Sequence, residues 1–311
     1  MAPVSQELEP PTNPGRFSRC LRHRDRNRQV VAWAGICEGW AAAAILHNRP
    51  TNVVNTVAFD GKPITFYPSD IKALASQLWA TGIGEDGTAL GGLKRWTRRS
   101  TNPGSWHLAV VNQIGAYQSF LVMDKDNDLA IWNQPIIGYR FSYFNPQTGE
   151  VSDPEFELNS QVSLAKAIVP IAKFTKDPFK KSRSKQAHNV LGIGMEVWYI
   201  DETKPSHAVT DGPSNDKVES VTYLYDLELD GSGEIIGGSW YKDKNNQPDF
   251  LWMFPKGTRV LTEADRLLFE DWTDRKMAVP QSWCTSAREA SETGTPLARV
   301  VEGLLNFANG R

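Results

Sequence analysis

Two residues in this chain have both the type and the setting for nucleophilic chemistry, a cysteine at position 37 and a histidine at position 107. Cys37 sits in Trp33-Ala34-Gly35-Ile36-Cys37-Glu38-Gly39-Trp40 and is followed by Ala41-Ala42-Ala43-Ala44-Ile45-Leu46, a run of strong helix formers. The thiol therefore falls at or just before the first turn of a buried helix. Unpaired N–H groups and the positive end of the helix dipole favour an anion there. A thiolate in that place has a lowered pKa and is a good nucleophile. Gly35 and Gly39 leave room for a substrate beside the backbone, with Trp33 and Trp40 as candidate walls. The competing reading is a buried structural cysteine, which is what most lone cysteines are.

His107 lies in Ser105-Trp106-His107-Leu108-Ala109-Val110-Val111-Asn112-Gln113-Ile114-Gly115. Apolar residues on both parities predict a strand covered on both faces. A histidine inside such a strand is either a satisfied core residue or a functional one. The next run, Ser119 to Met123, reads as the neighbouring antiparallel strand and ends at Asp124, within the reach a base and its orienting carboxylate need. Cysteine on an early helix, histidine on a later strand and an acid one strand further on is the layout of papain-like folds. In Asp124-Lys125-Asp126-Asn127-Asp128 the carboxylates alternate as at the start of an EF-hand loop. Leu129, however, stands where glycine is required, and Pro135 where the glutamate belongs. An exposed turn is the default, and Asp126 and Asp128 are the residues on which a looser calcium site would draw.

The elements that must hold these residues read as an α+β chain. Val53–Phe59 and Ile64–Tyr67 form a hairpin around Asp60-Gly61. A helix then opens at Pro68-Ser69-Asp70, with Ser69 or Asp70 as N-cap and Ile71, Leu74, Ala75, Leu78 and Trp79 on one buried face. The glycine-rich stretch Thr81–Gly92 lacks the spacing of a phosphate loop and reads as a flap. Strands follow at Ala130–Pro135 and Ile137–Phe144, a short amphipathic helix between Pro154 and Pro170, and a solvated basic segment at Lys173–Lys185. Tyr223–Asp230 alternates strictly, turns at Gly231-Ser232-Gly233 and returns through Trp240, beside further strands at Met195–Ile200 and Asp249–Phe254. Helical spacing marks Thr262–Arg311. His47, just before Pro50, reads as a helix-end cation, and His188 and His207 as surface residues. This organisation divides into a disordered basic lead (1–28), a catalytic domain (29–255) and a helical extension (256–311).

With 311 residues, 40% hydrophobic, 23% charged and a net charge of −2, the composition is that of a soluble globular chain. That charge gives no reason to expect nucleic acid or an anionic membrane as partner. No run approaches the ~18 apolar residues of a membrane span. Met1–Pro10 lacks a basic and an apolar region, so the expected location is cytoplasmic unless a leader was removed. Three cysteines (Cys20, Cys37, Cys284) are too few for a disulfide framework and too scattered for zinc. A Cys20–Cys284 pair is left open, and Cys37 is free either way.

Four stretches together resemble the transglutaminase elicitor family of oomycetes and marine bacteria. They are Trp33-Ala34-Gly35-Ile36-Cys37 with Trp40-Ala41; His107 in its segment; Trp132-Asn133-Gln134-Pro135 with Gly138-Tyr139-Arg140; and Leu227–Asp230 through Ile235-Ile236-Gly237-Gly238 to Pro248–Trp252. The resemblance covers about Val31 to Pro255, and the Trp-Asn-Gln-Pro run is the peptide for which the family is known as a plant-defence elicitor. It implies a papain-like core that crosslinks protein glutamine to lysine, with secretion and calcium dependence in the characterised members. Cys37 matches the nucleophile, His107 the general base and Asp124 the acidic partner. The chemistry itself needs no cofactor. The Cys37 N–H is the natural oxyanion donor, and Gln29, by analogy with papain's glutamine, is a candidate for the second. Trp33, Trp40, Trp106 and Trp132 are candidates for excluding water, which favours aminolysis, and Asn133 for a substrate contact. Partners are then proteins or peptides offering a glutamine donor and a lysine or other amine acceptor. A cysteine hydrolase, protease or deamidase, using the same triad with water as acceptor is the alternative, and a non-catalytic binding protein a third reading.

Overall fold

The computed structural model describes residues 36–82, 88–90, 101–126, 131–149, 163–241, 247–254 and 258–311. The expectations for the N-terminal lead, most of the 81–92 flap and the first part of the Pro154–Pro170 helix fall outside these residues. In chain order the first elements are α1 (Cys37–Leu46), β1 (Val54–Val57), β2 (Pro63–Phe66), α2 (Pro68–Gly82), β3 (Thr88–Leu90) and α3 (Pro103–Val110). Next come β4 (Leu121–Asp124), β5 (Asn133–Phe144), α4 (Leu164–Ala167), β6 (Ile168–Pro170) and β7 (Asn189–Asp201). The chain ends with β8 (Lys217–Leu229), β9 (Ile235–Trp240), β10 (Leu251–Met253), α5 (Cys284–Thr293) and α6 (Ala298–Ala308). These mixed helices and strands fall into two compact units, each drawn from separate stretches of the chain. The first comprises Met1–Thr88, Thr203–Asn215 and Phe254–Arg311, and the second Ala89–Glu202 and Asp216–Met253.

In the first unit α1 packs on α2. A Cβ built on Gly39 would lie 2.5 Å from the Ala80 nitrogen and 2.6 Å from its Cβ, so only glycine lets the helices approach this closely. Gly39 thus serves helix packing, not substrate access. The predicted hairpin is present, with Val54 opposite Phe66 and Gly61 at φ +78° in the turn. α2 buries Ile71, Ala75, Leu78 and Trp79. It starts at Pro68, ahead of the expected caps, because the Asp70 carboxylate accepts the Tyr67 N–H at 2.8 Å. α6 buries Val301, Leu304, Leu305 and Ala308 and packs against α2, with its first turn capped by the buried Asp265 through the Ala298 and Arg299 N–H groups.

The second unit is built on an eight-stranded sheet in the order β3-β10-β4-β5-β7-β8-β9, with β6 paired to β7. The paired segments from β10 through β9 run antiparallel. The β8–β9 hairpin turns as predicted: Gly233 takes φ +89°, and Asp230 Oδ1 accepts the Ser232 and Glu234 N–H groups. Among the described residues the short helix expected between Pro154 and Pro170 is α4, which stops at Ala167 because Ile168 already pairs with Leu191 as β6.

The strict alternation of β8 implies one buried and one wet face, yet both faces are covered. Tyr223, Tyr225 and Leu227 enter the core with Ile193, Met195, Val197 and Trp106. On the other face Asp226 and Glu228 are buried against Arg183. The Lys173–Lys185 segment expected to be solvated therefore carries a buried cation, its side chain 4% exposed. The guanidinium is held by Asp177 (Nε–Oδ2 3.0 Å, Nη2–Oδ1 3.0 Å) and Asp226 (Nη1–Oδ1 2.6 Å, Nη2–Oδ2 2.7 Å).

Candidate functional site

Cys37 is the first residue of α1, as its Ala-rich sequel implies. It is in no disulfide and is half-buried. The N-cap, Ile36, contributes no side-chain hydrogen bond to the first turn. The thiol donates toward Glu38 Oε2 at 3.8 Å, and Glu38 is itself only 4% exposed. Glu38 is the acidic residue of the first turn, a place where the helix dipole favours a carboxylate. Trp40 is half-buried on the same helix. Gln29 and Trp33 lie outside the described residues. Cys284 is likewise in no disulfide, and Cys20 is outside the described residues.

At the other end of α1, His47 is not a helix-end cation. It accepts the Trp79 indole N–H on Nε2 at 2.8 Å, and burial followed by the field of Arg259 lowers its pKa. A nitrogen that accepts a hydrogen bond carries no proton, so the ring is neutral.

His107 stands on α3, not on a strand. Asn102 caps the helix by accepting the Gly104 N–H at 2.9 Å, and Pro103 occupies the first turn, where its missing N–H costs nothing. Pro103, Trp106, His107 and Val110 form the buried stripe, at helical spacing. A continuous apolar run does not distinguish buried strand from buried helix, and the Asn-Pro start was the signal that decides it. α3 lies on β9 where Gly237-Gly238 replaces side chains: a Cβ on Gly104 would stand 2.9 Å from the Gly237 oxygen, and one on Gly238 3.0 Å from Pro103 Cβ. That close approach gives the Gly-Gly pair of the hairpin a physical role in seating the histidine helix.

Once seated, the His107 ring is 8% exposed, with Nδ1 2.8 Å from Tyr225 Oη and Phe141 edge-on at 5.2 Å. Burial alone lowers its pKa to about 4, which keeps the imidazole neutral near pH 7. Asp124 does end β4, paired with Asn133 of β5, and is 1% exposed. Its Oδ1 accepts the Trp132 N–H at 3.2 Å. Among the described residues the ring's hydrogen-bond partner is Tyr225 rather than the expected Asp124; it lies on a strand 118 positions away and is invisible to local spacing.

The remaining candidates separate into surface and core. Trp132 is 43% exposed, whereas Trp106 is fully buried between Tyr223 and Trp240 and walls no cleft. Asn133 is 4% exposed and accepts the Trp252 indole N–H at 2.7 Å, a core bond rather than a substrate contact. Asp126 Oδ2 is paired with Lys125 Nζ at 2.9 Å, and Asp128 lies outside the described residues. Among the described residues no group of three His, Cys, Asp or Glu side chains could hold a metal ion. The other Asp126 oxygen, Oδ1, is buried, so of the two carboxylates expected to draw a looser calcium site the described residues hold this one. No helix among them is long and apolar enough to cross a membrane.

The model of one protein family, described as transglutaminase elicitor, matches residues 15–264. The chain belongs to the transglutaminase elicitor family. Among solved structures, it is similar to the crystal structure of the GP42 transglutaminase from Phytophthora sojae, at 27% identity and a TM-score of 0.49. That alignment covers 71% of this chain and 56% of the other, so the elicitor-family chain spans little more than half of that relative's length. Comparison with curated proteins finds no match. The family match takes in Cys37, His107, Asp124 and the Trp132–Pro135 run, and ends before α5 and α6.

Proposed function

We propose that this transglutaminase-like chain is a protein-glutamine γ-glutamyltransferase working through a Cys37 thioester, with His107 as general base. The observation that carries the reading is a half-buried cysteine outside any disulfide, standing as the first residue of α1 in a chain whose family is that of the transglutaminase elicitors. Backbone N–H groups at a helix start favour the thiolate and can stabilise an oxyanion formed beside it.

In the first half-reaction Cys37 Sγ attacks the carboxamide carbon of a glutamine side chain, and the thiol proton passes to the neutral imidazole of His107. The tetrahedral oxyanion is stabilised by the Cys37 N–H. As the C–N bond breaks, His107 returns its proton to the departing ammonia, leaving a thioester. In the second half-reaction a primary amine such as lysine attacks the thioester carbon and loses a proton to His107. The C–S bond breaks, and His107 passes that proton to the sulfur, which regenerates the thiol and the neutral imidazole. Asp124, expected from the sequence as the orienting acid, is assigned instead to holding the start of β5 through the Trp132 N–H. No step runs through calcium.

The test is amine incorporation into a glutamine-donor peptide, followed by mass spectrometry with and without a primary amine. Wild type is expected to form the amine adduct. Cys37→Ala should form none, and His107→Gln should lose at least roughly a hundredfold in rate. An adduct formed equally well by Cys37→Ala refutes the reading. A deamidated peptide alone, in the presence of excess amine, makes water the acceptor and the protein a hydrolase.

A further inference from the structure

The geometry points to Tyr225 as the positioning residue that orients His107 and fixes its tautomer, in the place where a carboxylate was expected. The inference rests on the reading of His107 as base. Nδ1–Tyr225 Oη, at 2.8 Å, is the one hydrogen bond the ring makes among the described residues. Tyr225 is fully buried on β8, with the Trp240 ring tilted against it at 5.1 Å, so its hydroxyl cannot turn to solvent. The other acceptor beside that hydroxyl is Met195 Sδ, at 3.8 Å on the neighbouring strand β7.

A neutral imidazole that takes a thiol proton must carry its own proton on the opposite nitrogen. With Nδ1–H donating to Oη, the hydroxyl proton goes to Met195 Sδ and Nε2 keeps a free lone pair. The reverse assignment, Oη–H donating to Nδ1, would place the ring proton on Nε2 and leave no base. Only the first arrangement uses all three groups in one direction, Nδ1–H to Oη–H to Sδ.

A phenol in this place also differs chemically from a carboxylate. Burial pushes its ionisation well above the ordinary tyrosine value, so it brings no negative charge to the imidazole. An imidazolium is then not stabilised at rest, and proton transfer from the thiol accompanies attack on the carboxamide rather than preceding it.

The test is long-range 1H–15N spectroscopy of histidine-labelled protein, with the His107 signals identified by their loss in His107→Gln. Wild type is expected to carry the ring proton on Nδ1. In Tyr225→Phe that proton should move to Nε2, and kcat for amine incorporation should fall at least about tenfold with KM unchanged. Met195→Leu, a core swap of similar volume, should shift part of the population the same way, and it provides the measurement if Tyr225→Phe does not fold. An Nε2–H wild type, or variants with unchanged tautomer and unchanged kcat, overturns the inference. The spectra require no turnover. An inactive wild type with its proton on Nδ1 would therefore refute the acyl-transfer reading alone and leave the hold of Tyr225 on the ring standing.

Discussion

Replacing Arg183 with methionine should be among the most damaging single changes in the second unit. The side chain is 4% exposed, and its partners Asp177 and Asp226 are 1% and 0% exposed, with Glu228 at 7% and 3.5 Å away. Burial works against the Arg183 charge, but the hydrogen bonds and fields of Asp226 and Asp177 more than offset it. Methionine fills a similar volume while removing four charge-assisted hydrogen bonds, and three buried carboxylates lose their cation. Some support remains: Asp226 keeps the Tyr241 hydroxyl at 2.9 Å and the Ser239 N–H at 3.1 Å, and Glu228 keeps the Ser184 N–H at 3.1 Å. The cost should therefore match that of breaking a buried ion pair, about 3–5 kcal/mol, rather than the full price of an isolated ion. Its pH dependence follows from Asp226, whose carboxyl burial already holds above its ordinary value, with Arg183 only partly offsetting it. Without Arg183 the folded state binds protons more tightly than the unfolded chain, so the deficit should shrink as pH falls from 7 toward about 4. Urea unfolding of wild type and variant at several pH values reads both effects. A loss below about 1 kcal/mol at pH 7, the size of a surface pair, would refute the argument. So would a deficit that stays constant with pH.

His107 should make the protein acid-sensitive. Its pKa is about 4 when folded, against about 6.5 when unfolded, so stability is complete above the unfolded value. It falls as pH drops from there through the folded value, by roughly 3 kcal/mol in total. Comparing urea midpoints of wild type and His107→Gln across that window isolates the contribution, and equal slopes would show that the ring is not buried neutral. Gly39→Ala should lower the melting temperature. In an open helix interior the change would gain up to about 1 kcal/mol. Here the new methyl meets the backbone of Ala80, and overpacking of this kind costs about 1–3 kcal/mol. A variant more stable than wild type would mean that α1 and α2 are not in close contact.

The sequence showed Cys37 at a helix start, because alanine propensity is a local property and nothing in the fold opposes it. The Asp-Gly and Gly-Ser-Gly hairpins were legible for the same reason, as was the buried face of α2. α3 is a helix and not the expected strand because a continuous apolar run fits both, and the Asn102-Pro103 start favours the helix. The ionic face of β8 was hidden more deeply. Alternating acids in a strand mean solvent unless a cation from elsewhere covers them, and Arg183 lies 43 residues from Asp226 in a run that looks wholly solvated. The same limit applies at the histidine. A base needs a partner for its second nitrogen, and an acid at the end of the next predicted strand looked sufficient. The partner is set by which strand lies beneath α3, and that contact depends on Gly104, Gly237 and Gly238 having no side chains. The resemblance had marked Gly237-Gly238 as part of a motif without giving it a function. Seen as the bed of the histidine helix, the pair explains why a glycine-rich strand far along the sequence belongs to the same pattern as His107. A residue that makes no hydrogen bond to the imidazole can still decide where the ring sits.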